Sequence, residues 1–132
     1  MVTGSAPFLT SYMVLVGLMS GSFINLAADR LPRGESVVSP RSHCRACNRQ
    51  LNPIDLLPVV GYFLRAGRCA TCRTPIGVAA PIVEAVCAVL MTLPIISLGL
   101  WPGTAIGLAL VVTFGLAVTA LAARRPQAGS PL

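Results

Sequence analysis

The stretch HCRACNRQLNPIDLLPVVGYFLRAGRCATCRTP, residues 43–75, contains four of the five cysteines of the chain. They form two Cys-x-x-Cys pairs separated by 21 residues. Two such knuckles can place four thiolates tetrahedrally around Zn²⁺, although this separation is one residue longer than in common zinc ribbons. We therefore predict a zinc site, with two disulfides or a redox pair as the alternatives. The predicted ligands are Cys44, Cys47, Cys69 and Cys72.

The segment around these cysteines needs such a site in order to fold. Residues 29–75 are rich in proline and glycine and too few to bury a large core. Zinc binding to small peptides supplies about 10–16 kcal/mol, which is enough to fold a unit of this size. Four cysteines leave no open coordination position for a catalytic water, so the pattern predicts a structural zinc ion. We expect Arg45, Arg68 and Arg73 to favour the thiolates.

The rest of the chain is apolar enough for a lipid bilayer. Apolar residues make up 55% of the 132 residues and charged residues 11%, whereas soluble domains carry about 25% charged residues. Three uncharged or nearly uncharged runs are long enough to cross a membrane as helices. They predict an all-α membrane protein with three transmembrane helices and a zinc-knuckle loop domain between helices 1 and 2. The predicted spans are 8–28, which we expect to be uncleaved, 76–100 and 104–123.

The arginines predict the orientation of the spans. Eight of the ten lie between the first and second spans, and Arg124 and Arg125 follow the third. Since positive charge marks the cytoplasmic side, the N-terminus is predicted outside, with the loop domain 29–75 and the tail 124–132 inside. Few aromatic residues accompany these arginines, so nucleic-acid binding is not expected. The tail is expected to be disordered.

Several short motifs resemble the N-terminal domain of bacterial type IV prepilin peptidases, which are leader peptidases and N-methyltransferases. The motifs occur in the family's order from about residue 17 to 84. They are Gly21-Ser-Phe-Ile-Asn25, Arg30-Leu-Pro32, Ser39-Pro40, the two cysteine pairs, Asp55-Leu-Leu-Pro-Val59, Tyr62, Gly67-Arg68 and Pro81-x-x-Glu84. The resemblance implies a bacterial plasma-membrane protein that handles type IV prepilin or pseudopilin leader peptides. It also implies S-adenosylmethionine as methyl donor.

The peptidase chemistry of that family uses two aspartates, and neither is found where the family keeps it. The stretch comparable to the first is LAARRPQAG, and the second belongs to a Gly-x-Gly-Asp motif on a later helix. A pair of carboxylates sharing a proton is the chemical basis of aspartic proteolysis. We therefore predict no catalytic residue here, and expect a chain that binds leader peptides or partners a separately encoded peptidase half. An N-methyltransferase and a non-enzymatic zinc-loop adaptor are the alternatives.

Four other residues carry open interpretations. Asp29 is expected to pair with Arg30 or Arg33, and Asp55 to cap a short helix, rather than to form a substitute dyad. Glu84, inside a span, is expected either to be functional or to pair with Asn25 or an arginine. Gly67 is tied to methyl transfer by the resemblance, whereas its conformational freedom alone predicts a tight turn.

Overall fold

The computed structural model describes residues 6–125, which form three long helices and one short helix. Within that range there is no β-strand, only the isolated bridges His43–Gln50 and Arg68–Pro75. Three segments are long and apolar enough to cross a membrane: Pro7–Arg33, Ala79–Leu98 and Leu100–Arg124. The predicted fold class, with the four-cysteine cluster between the first two, is confirmed. The helices are α1 (Ala6–Arg30), α2 (Val60–Leu64), α3 (Ala79–Leu98) and α4 (Leu100–Arg124), and a 3-10 turn at Leu31–Arg33 continues α1.

Helix α3 lies at the centre of the bundle, against both α1 and α4. The buried cluster comprises Val83, Cys87 and Met91 of α3 together with Val111 of α4. Cys87 is fully buried and packs as a small apolar group, as its position in mid-span predicts. In a bilayer the outer faces of these helices contact lipid, and accordingly only 11% of the first span and 17% of α4 are buried within the protein, against 44% of α3.

Glycines allow the helices to approach closely. A Cβ on Gly21 would lie 2.5 Å from the Cα of Glu84, and one on Gly17 would lie 2.7 Å from the Cα of Ala88. The Gly-x-x-x-Gly pair of α1 therefore forms the contact with α3 that small residues of membrane helices typically provide. On the other side of α3, Gly103 of α4 meets the backbone of Ile95 in the same way.

The connection between α3 and α4 is shorter than the sequence suggests. Trp101, Pro102 and Gly103, which lie between the predicted spans, belong to α4, because this helix already begins at Leu100. The reversal is made at Gly99, whose φ of 89° is accessible to glycine. Pro102 then occupies the first turn of α4, where its missing N–H has no intrahelical partner to lose. The predicted tail, 124–132, lies outside the described residues from 126 onwards.

Arg30 fixes the chain where it leaves the first span. This residue is 4% exposed, and its guanidinium donates to the carbonyl of Ser36 at 2.7 Å and to that of Pro40 at 2.8 Å. It thus binds loop backbone, and of the two arginines expected as alternatives for Asp29, Arg33 is the one that pairs with it. The end of α1 and the start of the loop domain are thereby held in one arrangement.

Candidate metal centre

The two cysteine knuckles have the same backbone conformation. In the first, the amide of Asn48 donates to the carbonyl of Cys44 at 2.8 Å, and in the second the amide of Arg73 donates to that of Cys69 at 3.2 Å. Asn48 and Arg73 occupy equivalent positions and both have a positive φ, of 55° and 58°. This tight turn presents both sulfurs of a Cys-x-x-Cys pair on one side. Each knuckle therefore supplies half of a ligand set.

The four sulfurs converge on one point. The Sγ atoms of Cys44 and Cys72 are 3.7 Å apart, those of Cys47 and Cys69 are 3.9 Å apart, and all four lie within 4.8 Å of one another. Zn–S bonds of about 2.3 Å in a tetrahedron place sulfurs about 3.8 Å apart, whereas a disulfide requires about 2.05 Å. The cysteines of the described range are all free. The donor set fits a four-coordinate metal ion such as Zn²⁺.

The environment favours the thiolate form of Cys69, the most buried of the four. The backbone N–H groups of Cys72 and Thr71 lower the pKa of its thiol to about 6. Metals bind thiolates rather than thiols, so a low pKa reduces the competition from protons near neutral pH. His43 takes no part in the cluster, and its Nδ1 lies 3.0 Å from the Arg41 carbonyl.

A second group of charges connects the metal centre to the middle of the loop. Asp55 accepts hydrogen bonds from Arg49 at 2.7 Å, from Arg65 at 2.5 Å and from the Asn52 amide at 3.0 Å. It does not cap a helix, because α2 begins only at Val60. Asp55 raises the pKa of Arg49, and the sulfur of Cys69 beside that guanidinium adds to the effect. Arg49, which the sequence did not single out, thus lies beside the sulfur of Cys69.

This pairing makes stability depend on pH. Burial raises the pKa of Asp55, but the Asn52 amide, Arg65 and Arg49 together hold it below its ordinary value. The stabilisation is therefore present above about pH 4, where an unfolded aspartate ionises, and is lost as pH falls through the lower folded pKa. We expect Asp55→Asn to lose about 1–3 kcal/mol at neutral pH, measured by unfolding in detergent micelles. The difference from the parent protein should shrink as the pH falls below about 4, and a difference that stays constant down to the lowest pH at which the parent remains folded would contradict this origin.

The other loop-side aspartate belongs to a separate group of charges. Asp29 pairs with Arg33, as expected, and with Arg45 at 2.6 Å, and Arg45 also binds Glu35 at 2.9 Å. Contact with Arg45 lowers the pKa of Glu35 below its usual range. Arg45 is therefore occupied by carboxylates. Asp29 and Asp55 each face arginines, and no hydrogen bond within residues 6–125 joins the two carboxylates to one another.

Glu84 joins the membrane helices to the loop domain. It is 7% exposed, and its Oε2 accepts the backbone N–H of Val59 at 2.6 Å. Val59 has φ 59° and ψ −53°, and a 2.5 Å bond from the Val60 amide to the Pro58 carbonyl closes a γ-turn around it. A β-branched residue rarely adopts this conformation. The expected Asn25 pairing is absent, since the buried Nδ2 of Asn25 has no hydrogen-bond partner.

Glu84→Ala should loosen this junction. Removing the acceptor leaves a backbone N–H unpaired in a partly buried site, at a cost of about 1–3 kcal/mol, and frees Val59 to leave its strained conformation. Hydrogen exchange at the Val59 amide should become faster. Glu84→Gln is the matched control, because its side-chain oxygen can still accept that bond. If Glu84→Ala and Glu84→Gln lose the same unfolding free energy and exchange equally fast, the carboxylate charge, rather than the hydrogen-bond acceptor, stabilises this junction.

Gly67 lies in a turn beside the second knuckle. Its φ is 64°, and a Cβ there would approach the hydroxyl oxygen of Tyr62 to 2.7 Å. Its carbonyl also accepts the Ile76 amide at 2.7 Å. These contacts account for glycine at this position through the turn alone.

Two cavities separate the loop domain from the ends of the helices. The smaller has a volume of about 180 Å³ and lies between Asn25, Glu84, Tyr62 and the Arg49–Asp55 pair. The larger, of about 720 Å³, extends past Asp29, Arg30 and His43. Both are lined by Asn25 and Cys69, so the cavities adjoin beneath the metal centre.

Comparison with known proteins covers the same part of the chain. The family model described as the Bacterial Peptidase A24 N-terminal domain matches residues 15–98. The prepilin leader peptidase/N-methyltransferase of Bacillus subtilis is 35% identical over 82 residues, 62% of this chain and 33% of its own length. The protein of the same name from Neisseria gonorrhoeae is 27% identical over 138 aligned positions, 86% of this chain and 48% of its own length. The chain thus spans a third to a half of these relatives. No solved structure matches.

Proposed function

This chain belongs to the bacterial peptidase A24 N-terminal domain family, and from that premise we propose that it is a non-proteolytic half of a prepilin-processing apparatus. In this proposal it sits in the plasma membrane of a bacterium. It binds prepilin or pseudopilin leader peptides, or holds a separately encoded aspartic peptidase half. Its relatives are named prepilin leader peptidase/N-methyltransferase, which supports a role in prepilin processing. The pairing of its own aspartates with arginines supports the absence of proteolysis.

The observation that carries this proposal is the state of the two aspartates. An aspartic peptidase needs two carboxylates that share a proton at the scissile bond. Asp55 is engaged by Arg49 and Arg65, and its pKa is lowered, so it stays ionised and oriented away from such a role. Asp29 is engaged by Arg33 and Arg45. Both aspartates therefore serve the loop domain's own structure.

The metal and the orientation belong to the same proposal. A structural Zn²⁺ at Cys44, Cys47, Cys69 and Cys72 is supported by the spacing of the sulfurs and by the low pKa of Cys69. When bound, the ion would hold the two knuckles together. A cytoplasmic loop domain and an outside N-terminus are supported by the eight arginines between the first two spans. The reducing cytoplasm also suits free thiolates.

Reconstitution in liposomes tests the proposal. The chain alone, mixed with a prepilin, is expected to give no cleavage. Addition of a membrane polypeptide that carries the Gly-x-Gly-Asp helix should restore cleavage, and the same polypeptide with that aspartate changed to asparagine should not. Cleavage by this chain alone would overturn the proposal.

Methyl transfer is the second candidate, favoured by the larger cavity. Its volume of about 720 Å³ falls within the roughly 300–1,000 Å³ of small-molecule sites, and it opens where the loop domain meets the membrane helices. In this alternative it receives S-adenosylmethionine, and Gly67 and Glu84 act by shaping the neighbouring turn and junction. Incubation of the chain with mature pilin and methyl-labelled S-adenosylmethionine decides the matter. An unlabelled pilin N-terminus would exclude it.

A further inference from the structure

The middle of the loop domain exposes an apolar surface that a water-facing domain rarely carries. Its large apolar side chains are 42–71% exposed within only eleven residues of sequence. Exposed apolar side chains gathered in one short segment are a candidate surface for binding to a protein or a membrane. We call this surface the apolar rim; it comprises Ile54, Leu56, Leu57, Val60, Phe63 and Leu64.

We propose that the apolar rim inserts into the lipid leaflet on the loop side of the membrane, making residues 54–64 an interfacial anchor for the metal-binding domain. The partner is the bilayer itself, at the boundary between headgroups and acyl chains. Short apolar segments next to basic residues bind at that depth. The proposal is independent of whether the chain processes prepilins.

The position of the rim along the helices supports insertion. Val59, inside the segment, donates to Glu84, the sixth residue of α3. At 1.5 Å per residue, Glu84 lies about 7–8 Å into that membrane-spanning helix. The backbone of Glu84 also lies against Gly21, which is well within the first span. The rim therefore lies beside the apolar ends of the spans, within the roughly 5–10 Å to which interfacial segments are buried.

The charges around the rim fit lipid headgroups. Arg65 directly follows Leu64, and Arg68 lies three residues further on and is exposed. The acidic residues of the loop domain, Asp29, Glu35 and Asp55, are each paired with arginine. With eight arginines against three carboxylates in residues 29–75, the loop domain is cationic next to the membrane. Anionic lipids attract such basic segments near the surface.

Fluorescence quenching in vesicles tests the insertion. The full chain carries one tryptophan, so Trp101→Phe provides a silent background in which Phe63→Trp reports on the rim. The matched control is Gln50→Trp, an exposed polar position in the first knuckle. Both are reconstituted in phosphatidylcholine and phosphatidylglycerol vesicles containing lipids brominated near the headgroup end of the acyl chain. Bound metal per chain, unchanged from the parent, confirms that each variant is folded.

We expect brominated lipid to quench the Phe63→Trp reporter at least about twofold more than the Gln50→Trp reporter, and aqueous acrylamide to show the opposite order. Acrylamide quenching as strong as in the control would overturn the proposal, because the rim would then face water. A reporter shielded from both quenchers would also overturn it, since a protein surface would then cover the rim. If Phe63→Trp loses metal, Leu64→Trp serves as the second reporter with the same expected order.

Discussion

Replacing Cys69 by serine is expected to release the metal ion and unfold the loop domain, while the three long helices stay assembled. Cys69 is 3% exposed and lies closest to the arginine group around Asp55. Loss of one thiolate removes much of the binding free energy, which is about 10–16 kcal/mol for comparable zinc peptides. The segment from Gly34 to Val78 has only a five-residue helix and no strand to replace it.

Two measurements test for the loss of metal and the unfolding of the loop domain. Metal content should fall from about one ion per chain to near zero, and trypsin should cut freely at the arginines between α1 and α3. Cys87→Ala is the matched control, because it removes a buried thiol from α3 and leaves all four ligands intact. A Cys69→Ser protein that keeps its metal and its resistance to trypsin would contradict the assignment of these ligands.

Gly21→Val is expected to have the second large effect, by forcing α1 away from α3. The first added carbon would already lie 2.5 Å from the Cα of Glu84 and 3.0 Å from its backbone nitrogen. Backbone atoms cannot turn aside as a flexible side chain can, so the helices must separate. Overpacking of this kind costs about 1–3 kcal/mol, and the shift also displaces the carboxylate that holds Val59.

Thermal unfolding in detergent micelles and hydrogen exchange at the Val59 amide measure the two consequences separately. Gly77→Val is the control, because no atom lies within 4 Å of a Cβ built there. It should unfold close to the parent protein. If Gly21→Val behaves like Gly77→Val, the close crossing of α1 and α3 is not a constraint on the fold.

Much of the architecture could be read from local patterns. Long uncharged runs predict spans because unpaired charge is costly in hydrocarbon, and the Cys-x-x-Cys repeat predicts ligands because each knuckle is formed by only a few neighbouring residues. The contact that Gly17 and Gly21 make with α3 is local in the same sense, as helical spacing places both glycines on one face. In each case the signal and the structure lie within a short stretch of chain.

The interactions that the sequence did not reveal join distant segments. Glu84 and Val59, which are hydrogen-bonded, lie 25 residues apart in the chain. The residues around Pro58 give no indication that Val59 has a positive φ. Asp55 has two arginine partners among eight arginines in the loop, and spacing alone does not select Arg49 and Arg65. The apolar rim is the exception, because its signal is present in the sequence: residues 54–64 are unusually apolar for a loop.

Because Gly99 alone connects α3 to α4, little of the chain is exposed on the side of the membrane opposite the loop domain. A connection of one residue leaves almost no extended backbone that a protease could bind and cleave. Digestion of sealed vesicles from that side should spare the α3–α4 connection, whereas digestion from the loop side should fragment the chain. The pattern of peptides would therefore report sidedness without any tag or label.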